Sequence, residues 1–232
     1  MIKAELLAPA GSYSKFLTAL HFGADAVYVG GKNFSLRTFA DNFSLEELKS
    51  AVEVAHQQGK KIYVTANVFA KNADFELLKD YLPYLEGIGV DAAIISDPGV
   101  VYLAEKVAPK LNVHLSTQAN TTNKYAVKFW QEMGVSRVIL ARELSLAEIK
   151  DIRDINPDVE LEAFVHGAMC ISYSGRCLLS DYLDGRSSNR GACVQSCRWR
   201  YEVRALNPSK EETGWLPLEE DGRGTFIFNS TD

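Results

Sequence analysis

Four cysteines are the residues best suited to chemistry, and they are crowded together. Cys170, Cys177, Cys193 and Cys197 fall within 28 residues, spaced C-x6-C-x15-C-x3-C, and the first 169 residues contain none. A thiolate is a soft metal ligand and a nucleophile. Thiols clustered like this in a chain without a secretion signal point to metal binding or catalysis rather than to structural disulfides. The bland alternative is four unrelated buried thiols, but chance would scatter them. Structural zinc sites usually show C-x2-4-C pairs, and only Cys193 and Cys197 form one. Spacing alone does not separate zinc from iron–sulfur chemistry.

The same stretch is locally basic. From Cys170 to Arg204 there are six arginines and three acids (Asp181, Asp184, Glu202), in a chain of formal net charge −5. Positive neighbours favour the thiolate, and Arg176, Arg190 and Arg198 lie next to or near cysteines. Arg186, Arg190, Arg198, Arg200 and Arg204, with Trp199 and Tyr201 among them, form a basic–aromatic patch. Guanidinium groups pair with phosphates and aromatic rings stack on exposed bases, so the patch is a candidate RNA contact. A solvated loop with surface ion pairs is the structural alternative. The acidic Glu219-Glu220-Asp221 reads as a solvated turn.

These residues need a scaffold, and the chain reads as repeated strand–helix units. Candidate strands are 5–9, 26–30, 61–67, 92–96, 112–118, 136–141, 159–165 and 225–229, rich in β-branched and aromatic residues between turn formers. Ser44-Leu45-Glu46-Glu47 and Ser145-Leu146-Ala147-Glu148 are capping boxes opening helices. A third helix begins at Asp74, with Leu77, Leu78, Tyr81 and Leu82 on one face. Gly23-Ala24-Asp25-Ala26-Val27-Tyr28 is echoed by Gly89-Val90-Asp91-Ala92-Ala93-Ile94 and by Gly134-Val135-Ser136-Arg137-Val138-Ile139. Each echo has a glycine to leave a helix, a short turn, then a buried strand. Such alternation implies a parallel sheet, and eight strands in this length suit a TIM-like (β/α)8 barrel forming a single domain over 1–232. No G-x-G-x-x-G follows the first strand, which weakens a dinucleotide-binding fold. A Cys/Arg-rich insertion, 167–224, separates strands seven and eight. No helix follows strand eight, so the barrel reads as cut short, with a C-terminal part beyond 232.

In a barrel, residues at strand C-termini face the active mouth. Asn67, Gln118, Asn120, Arg142, Glu143, Glu162 and His166 lie there. Arg142 could clamp a carboxylate or phosphate, with Glu143 as its structural partner. Glu162, if it points inward, needs a partner, and Arg142 is a candidate. His166 could act as general acid or base, or as the partner of a nucleophilic cysteine; a hydrogen-bonded structural role is the alternative. His114 alternates with Val113 and Leu115 and could face the interior.

Composition bounds the rest. The chain has 232 residues, 25 Lys+Arg against 30 Asp+Glu, 47% hydrophobic and 24% charged residues. These are globular values that argue against disorder and fibrous repeats, and a chain this long buries roughly 70% of its unfolded surface without disulfides. No apolar run approaches the ~20 residues of a membrane span, and no signal segment opens the chain. The expectation is a cytoplasmic protein without a membrane partner. Mild acidity excludes a uniformly basic nucleic-acid binder but not a local patch.

Glu162-Ala163-Phe164-Val165-His166-Gly167-Ala168-Met169-Cys170, continuing through Ser174-Gly175-Arg176-Cys177 to Ser180, resembles the signature of the U32 peptidase-like family. Leu6-Leu7-Ala8-Pro9-Ala10-Gly11, Leu115-Ser116-Thr117-Gln118, Arg142-Glu143-Leu144-Ser145 and Asn189-Arg190-Gly191-Ala192-Cys193 are similar to further landmarks, in the same order along the whole chain. The nearest branch is the bacterial one named for tRNA uridine hydroxylation; others are collagenase-like proteases by name, or serve ribosomal-RNA or ubiquinone hydroxylation. The resemblance implies a TIM-like barrel and a [4Fe–4S] cluster held by Cys170, Cys177 and Cys193, with Cys197 or a later cysteine as fourth ligand. Zinc is the rival metal. It implies oxygen-independent hydroxylation at C5 of a wobble uridine in tRNA, with prephenate, a small dicarboxylate, as co-substrate. Gln118, Arg176, Arg190, Arg198, Trp199 and Arg200 are then candidate substrate or RNA contacts, and Arg142, Glu162 and His166 candidate catalytic residues. Partners would be tRNA and either a paired family member or further copies of the chain. The family name carries a competing expectation: a peptidase using Cys170 with His166, or a metal-bound water. The chain lacks H-E-x-x-H, and a thiolate committed to a cluster is no free nucleophile. A third reading is a non-catalytic scaffold that hands sulfur, electrons or RNA to a partner.

Overall fold

The computed structural model describes residues 4–32, 34–35, 41–167, 170–199, 219–221 and 224–226. Contacts divide the chain into two units, Met1–Cys197 and Arg198–Asp232. The first alternates strands and helices: β1 (Leu7–Ala10), α1 (Tyr13–His21), β2 (Ala26–Gly30), α2 (Leu45–Gln57), β3 (Lys61–Ala66), α3 (Asp74–Gly87), β4 (Ala92–Ile95), α4 (Pro98–Val107), β5 (Val113–Leu115), α5 (Lys124–Glu132), β6 (Arg137–Ile139), α6 (Leu146–Ile155) and β7 (Glu160–Glu162). Beyond β7 comes one short helix, α7 (Leu179–Asp184), among 3-10 turns. Among the described residues no helix is long and apolar enough to cross a membrane.

The seven strands form one parallel sheet in the order β1 to β7, each paired with the next in sequence. Local chemistry sets the helix starts. Ser44 and Ser145 cap α2 and α6, and Glu47 and Glu148 reach back to the cap nitrogens, as the capping boxes predict. Gly89 and Gly134 take φ of +83°, the left-handed exit that the internal repeat requires. In α3, Leu78, Tyr81 and Leu82 are buried as read, but Leu77 is 60% exposed. It sits one residue off the stripe that packs on the sheet.

Side chains alternate along each strand. Ile62 and Val64, Ala93 and Ile95, and Val138 face the helices and form the main core. Tyr63, Ala92, Ile94 and Ile139 face the other way, into a smaller inner cluster. That inner face is curved. Arg137 Nη1 on β6 lies 2.7 Å from Oε1 of Glu5, two residues before β1, and Tyr63 on β3 donates to the same oxygen at 2.8 Å. In a flat sheet β1 and β6 would stand about 24 Å apart, five strand spacings. The sheet therefore curls towards a barrel.

The eighth strand differs from expectation. β9 (Gly224–Phe226), which overlaps the expected 225–229, pairs antiparallel with β8 (Glu219–Asp221) in a two-stranded hairpin of the second unit. Glu219–Asp221, read as a turn, is thus a strand, while 227–229 lie outside the described residues. Among the described residues the parallel sheet has seven strands, which is part of a barrel rather than a complete one.

Arg137 is 8% exposed in its side chain and also reaches Glu160 and Glu162. Burial alone would raise the Glu5 carboxyl, but the Arg137 and Tyr63 hydrogen bonds and the guanidinium charge hold it below the ordinary glutamate value. Removing one partner of a buried ion cluster strands the others. Arg137→Ala should therefore destabilise the protein by about 3 kcal/mol in urea unfolding. A loss below about 1 kcal/mol, the scale of an exposed pair, would contradict this role.

Candidate active site at the strand C-termini

Past the C-terminal ends of β2 to β7 lies a cavity of about 210 Å³, lined by residues that include Thr65, Asn67, Gln118, Arg142, Glu162 and Phe164. A larger cavity of about 470 Å³ opens at the opposite end, beside Lys61, Tyr63, His114, Arg137 and Glu160. In folds of this type the strand N-termini carry stability and the C-termini carry chemistry. The smaller cavity is therefore the candidate site. Sequence reasoning missed the ion cluster at the other end. Its only signal was Arg137 two residues before Ile139, and so on the same face. His114 does face inward there, 5% exposed, and burial, aided by Arg137, pushes its pKa down to about 3.

Glu162 points inward at the mouth. Burial raises its carboxyl above the ordinary value, and its described cation partner is Arg137, at 3.4 Å, not Arg142. The register explains the correction: β6 pairs Arg137 and Ile139 with Glu160 and Glu162, so Arg137 points inside one layer below Glu162. The Arg142 guanidinium instead lies 5.4 Å from the centre of the Phe164 ring. Glu143, read as a partner for Arg142, accepts from the Ser174 amide at 2.9 Å. His166 is exposed and borders a neighbouring cavity of about 200 Å³ together with Arg142 and Phe164. Among the described residues no hydrogen bond joins it to Cys170.

The cysteine-bearing segment is fastened across the β3 and β5 loops. Ser174, buried at φ +46°, donates from Oγ to Asn120 at 2.7 Å. Arg176 Nε donates to the Gln118 carbonyl at 2.8 Å, and its guanidinium lies 5.7 Å from the Phe69 ring centre. Arg190 grips Asp74 with two nitrogens, at 2.8 and 3.0 Å, and donates to the Phe69 carbonyl. Asn189 works in both directions: its carbonyl accepts from Phe69 N, and its Oδ1 accepts from Cys177 N. Arg176 and Arg190, read as RNA contacts, thus hold the loop to the sheet. Arg198 and Trp199 are exposed in the second unit, and Arg200 lies outside the described residues. Ser174, Asn189 and Asp74 were named in the sequence only as parts of motifs or as a helix start, not as fastening residues, because most of their partners lie 31 or more residues away.

All four cysteines are free thiols; Cys177 is half-buried and the others are exposed. Leu179 N donates to Cys177 Sγ and Gln195 N to Cys193 Sγ, both at 3.3 Å and both from two residues on. Burial would raise the Cys177 thiol, but hydrogen bonds from Ser172, the Leu179 and Ser180 amides and Ser188 hold it below its ordinary value. Ser180 Oγ accepts from Val194 N at 3.2 Å, tying the Cys177 turn to the residue after Cys193. This donor set, unbridged sulfurs receiving N–H groups, suits a thiolate-held metal or cluster. The sulfurs are not drawn together, however: among the described residues no three His, Cys, Asp or Glu side chains converge on a possible metal position.

The chain matches the model for peptidase family U32 over residues 11–232. It is 51% identical over 201 residues to tRNA hydroxylation protein P1 of Bacillus subtilis, covering 87% of this chain and 47% of that one. It is 49% identical over 205 residues to tRNA hydroxylation protein P of Escherichia coli, covering 88% and 45%. The chain thus spans about half the length of the curated relatives it matches. Among solved structures, that of a U32 peptidase superposes with a TM-score of 0.58 at 18% identity over 70% of each chain, which supports the fold alone. Sequence, motif order and fold agree, and the chain belongs to peptidase family U32.

Proposed function

We propose that this chain is the U32 part of an RNA-modifying enzyme that hydroxylates a tRNA wobble uridine at C5, independently of dioxygen and with prephenate as the oxygen-linked co-substrate. The names of relatives at about half identity support RNA hydroxylation as the reaction class. The observation that carries the reading is the fastening of the Cys177 turn beside the mouth cavity, through Arg176 to the Gln118 carbonyl and through Asn189 and Arg190 to the β3 loop. Cys170, Cys177, Cys193 and Cys197, or a cysteine beyond Asp232, would hold a [4Fe–4S] cluster; zinc is the alternative metal. Such a cluster would supply one-electron chemistry next to the cavity.

The chain's own residues would do the rest. Arg142 offers a flat guanidinium for a carboxylate or phosphate. Glu162, kept towards its neutral form by burial, can hold a proton at the mouth and return it. Arg198, Trp199 and Arg200 would contact RNA, while Arg176 and Arg190 keep the loop in place. The peptidase alternative asks Cys170 and His166 to act as nucleophile and base. Their lack of a hydrogen bond among the described residues gives it no support, and peptide hydrolysis lost in Cys170→Ser would revive it.

In a deletion strain complemented with the complete protein, Cys177→Ser should reduce 5-hydroxyuridine in tRNA by tenfold or more. Unchanged modification would contradict a ligand role. The clasp has its own signature. The hydrogen bond from Arg190 holds the Asp74 carboxyl down to about 2, from 3.8. Its stabilisation is complete above the unfolded value and is lost as the pH falls through about 2. At neutral pH, Asp74→Asn should cost about 1 kcal/mol, allowing for the partly exposed guanidinium, and should speed proteolysis within 170–197. The gap from wild type should close as the pH approaches 2; a gap independent of pH would contradict the pairing.

A further inference from the structure

The walls of the mouth cavity use up most of their own hydrogen-bonding groups. Thr65 Oγ1 donates to the Val29 carbonyl, Thr117 Oγ1 to the Leu140 carbonyl, and Ser174 Oγ to Asn120. Gln118 is the exception. Among the described residues lining the cavity, its Oε1 is the one buried side-chain oxygen without a hydrogen-bond partner. Turning the amide over would place a buried N–H there instead, equally unanswered. An unanswered buried polar group is costly and calls for an explanation. The residue is also held in place: Gln118 N donates to Ser116 Oγ, and its carbonyl accepts from Arg176.

The surroundings limit what could answer it. About 210 Å³ is below the roughly 300–1,000 Å³ of pockets that enclose whole drug-sized ligands, so the cavity suits one ring rather than a nucleotide. Phe164, Ile94 and Ile139 supply apolar surface for a flat ring. A carboxamide presents an acceptor beside a donor, and so matches an edge that presents a donor beside an acceptor. Uracil has that edge, with N3–H beside a carbonyl. Along its N3 and O2 edge, cytosine offers two acceptors. C5 lies across the ring from C2, so a base held by N3 and O2 keeps its C5 side free.

We propose that Gln118 is a specificity-determining residue that reads the Watson–Crick edge of a flipped-out pyrimidine, accepting from uracil N3–H and donating to the O2 carbonyl, and so selects uridine over cytidine. The assignment rests on the RNA-hydroxylation reading and names its base-binding subsite. A loop nucleotide is easily splayed out of its stack, so entry of the base is inexpensive.

The test uses the complete protein and an anticodon stem-loop RNA carrying either uridine or 3-methyluridine at the target position, since the methyl group replaces N3–H. Affinity and 5-hydroxylation are both measured. Wild type should favour the uridine RNA by about tenfold or more in both, the scale of one good bidentate contact. Gln118→Leu should lose about that factor on the uridine RNA and treat the two RNAs alike. Should Gln118→Leu fail to fold, Gln118→Asn keeps the amide but withdraws it by one methylene, and should shrink the preference. Equal treatment of both RNAs by wild type, or an undiminished preference in the variants, overturns the Gln118 assignment while leaving the reaction class intact. A complete protein that neither binds nor hydroxylates the uridine RNA overturns the proposed function itself.

Discussion

One guanidinium determines the shape of this sheet. Arg137 is almost fully enclosed on the inner face and meets carboxylates that come from before β1 and from β7. β7 is the neighbouring strand, but Glu5, ahead of β1, can be reached only if the strands curl. Tyr63 joins the same oxygen of Glu5 and lies under the Arg137 guanidinium, whose carbon is 5.1 Å from its ring centre. The consequence reaches the other end of the strands. Alternation along β6 and β7 that puts Arg137 inside also puts Ile139 and Glu162 inside, one layer nearer the mouth. The chemistry available there follows from a constraint set at the opposite end.

The arginines divide between two tasks. Arg176 and Arg190 are joined to the β5 and β3 loops, and with Asn189 they fix where the Cys177 turn sits. This leaves the sulfurs among N–H donors rather than beside free cations. Two cysteines share the same feature, an amide two residues on directed at the sulfur. At Cys177 such contacts hold the thiol below its ordinary value, towards the anionic form in which a thiol binds metal. The segment is thus positioned and the Cys177 sulfur is held towards its thiolate, although among the described residues the sulfurs have not converged.

Much of this was legible in the sequence. The two capping boxes, the glycines that leave helices and the positions of seven strands follow from local rules, since each depends on neighbours within a few residues. The eighth strand was located but its pairing was not, because a short run of β-formers can pair locally or across a barrel, and periodicity does not distinguish the two. At the site, Gln118, Arg142 and Glu162 were found because strand C-termini are the productive positions in such folds. Arg142 was paired with the wrong acid because the inward parity of Arg137 becomes visible only once the β6–β7 register is known. The clasp through Asp74, Asn189 and Ser174 was invisible for the same reason: its contacts link residues far apart in sequence, and no local pattern announces them.

The central claim is that the cysteine segment holds an iron–sulfur cluster beside a base-sized cavity. Iron and acid-labile sulfide analysis of the complete protein, purified without air and read alongside its visible and EPR spectra, tests it most directly. About four iron and four sulfide per chain are expected, with cluster absorption that bleaches on reduction. A colourless protein carrying zinc or no metal, and still able to hydroxylate tRNA, would contradict it.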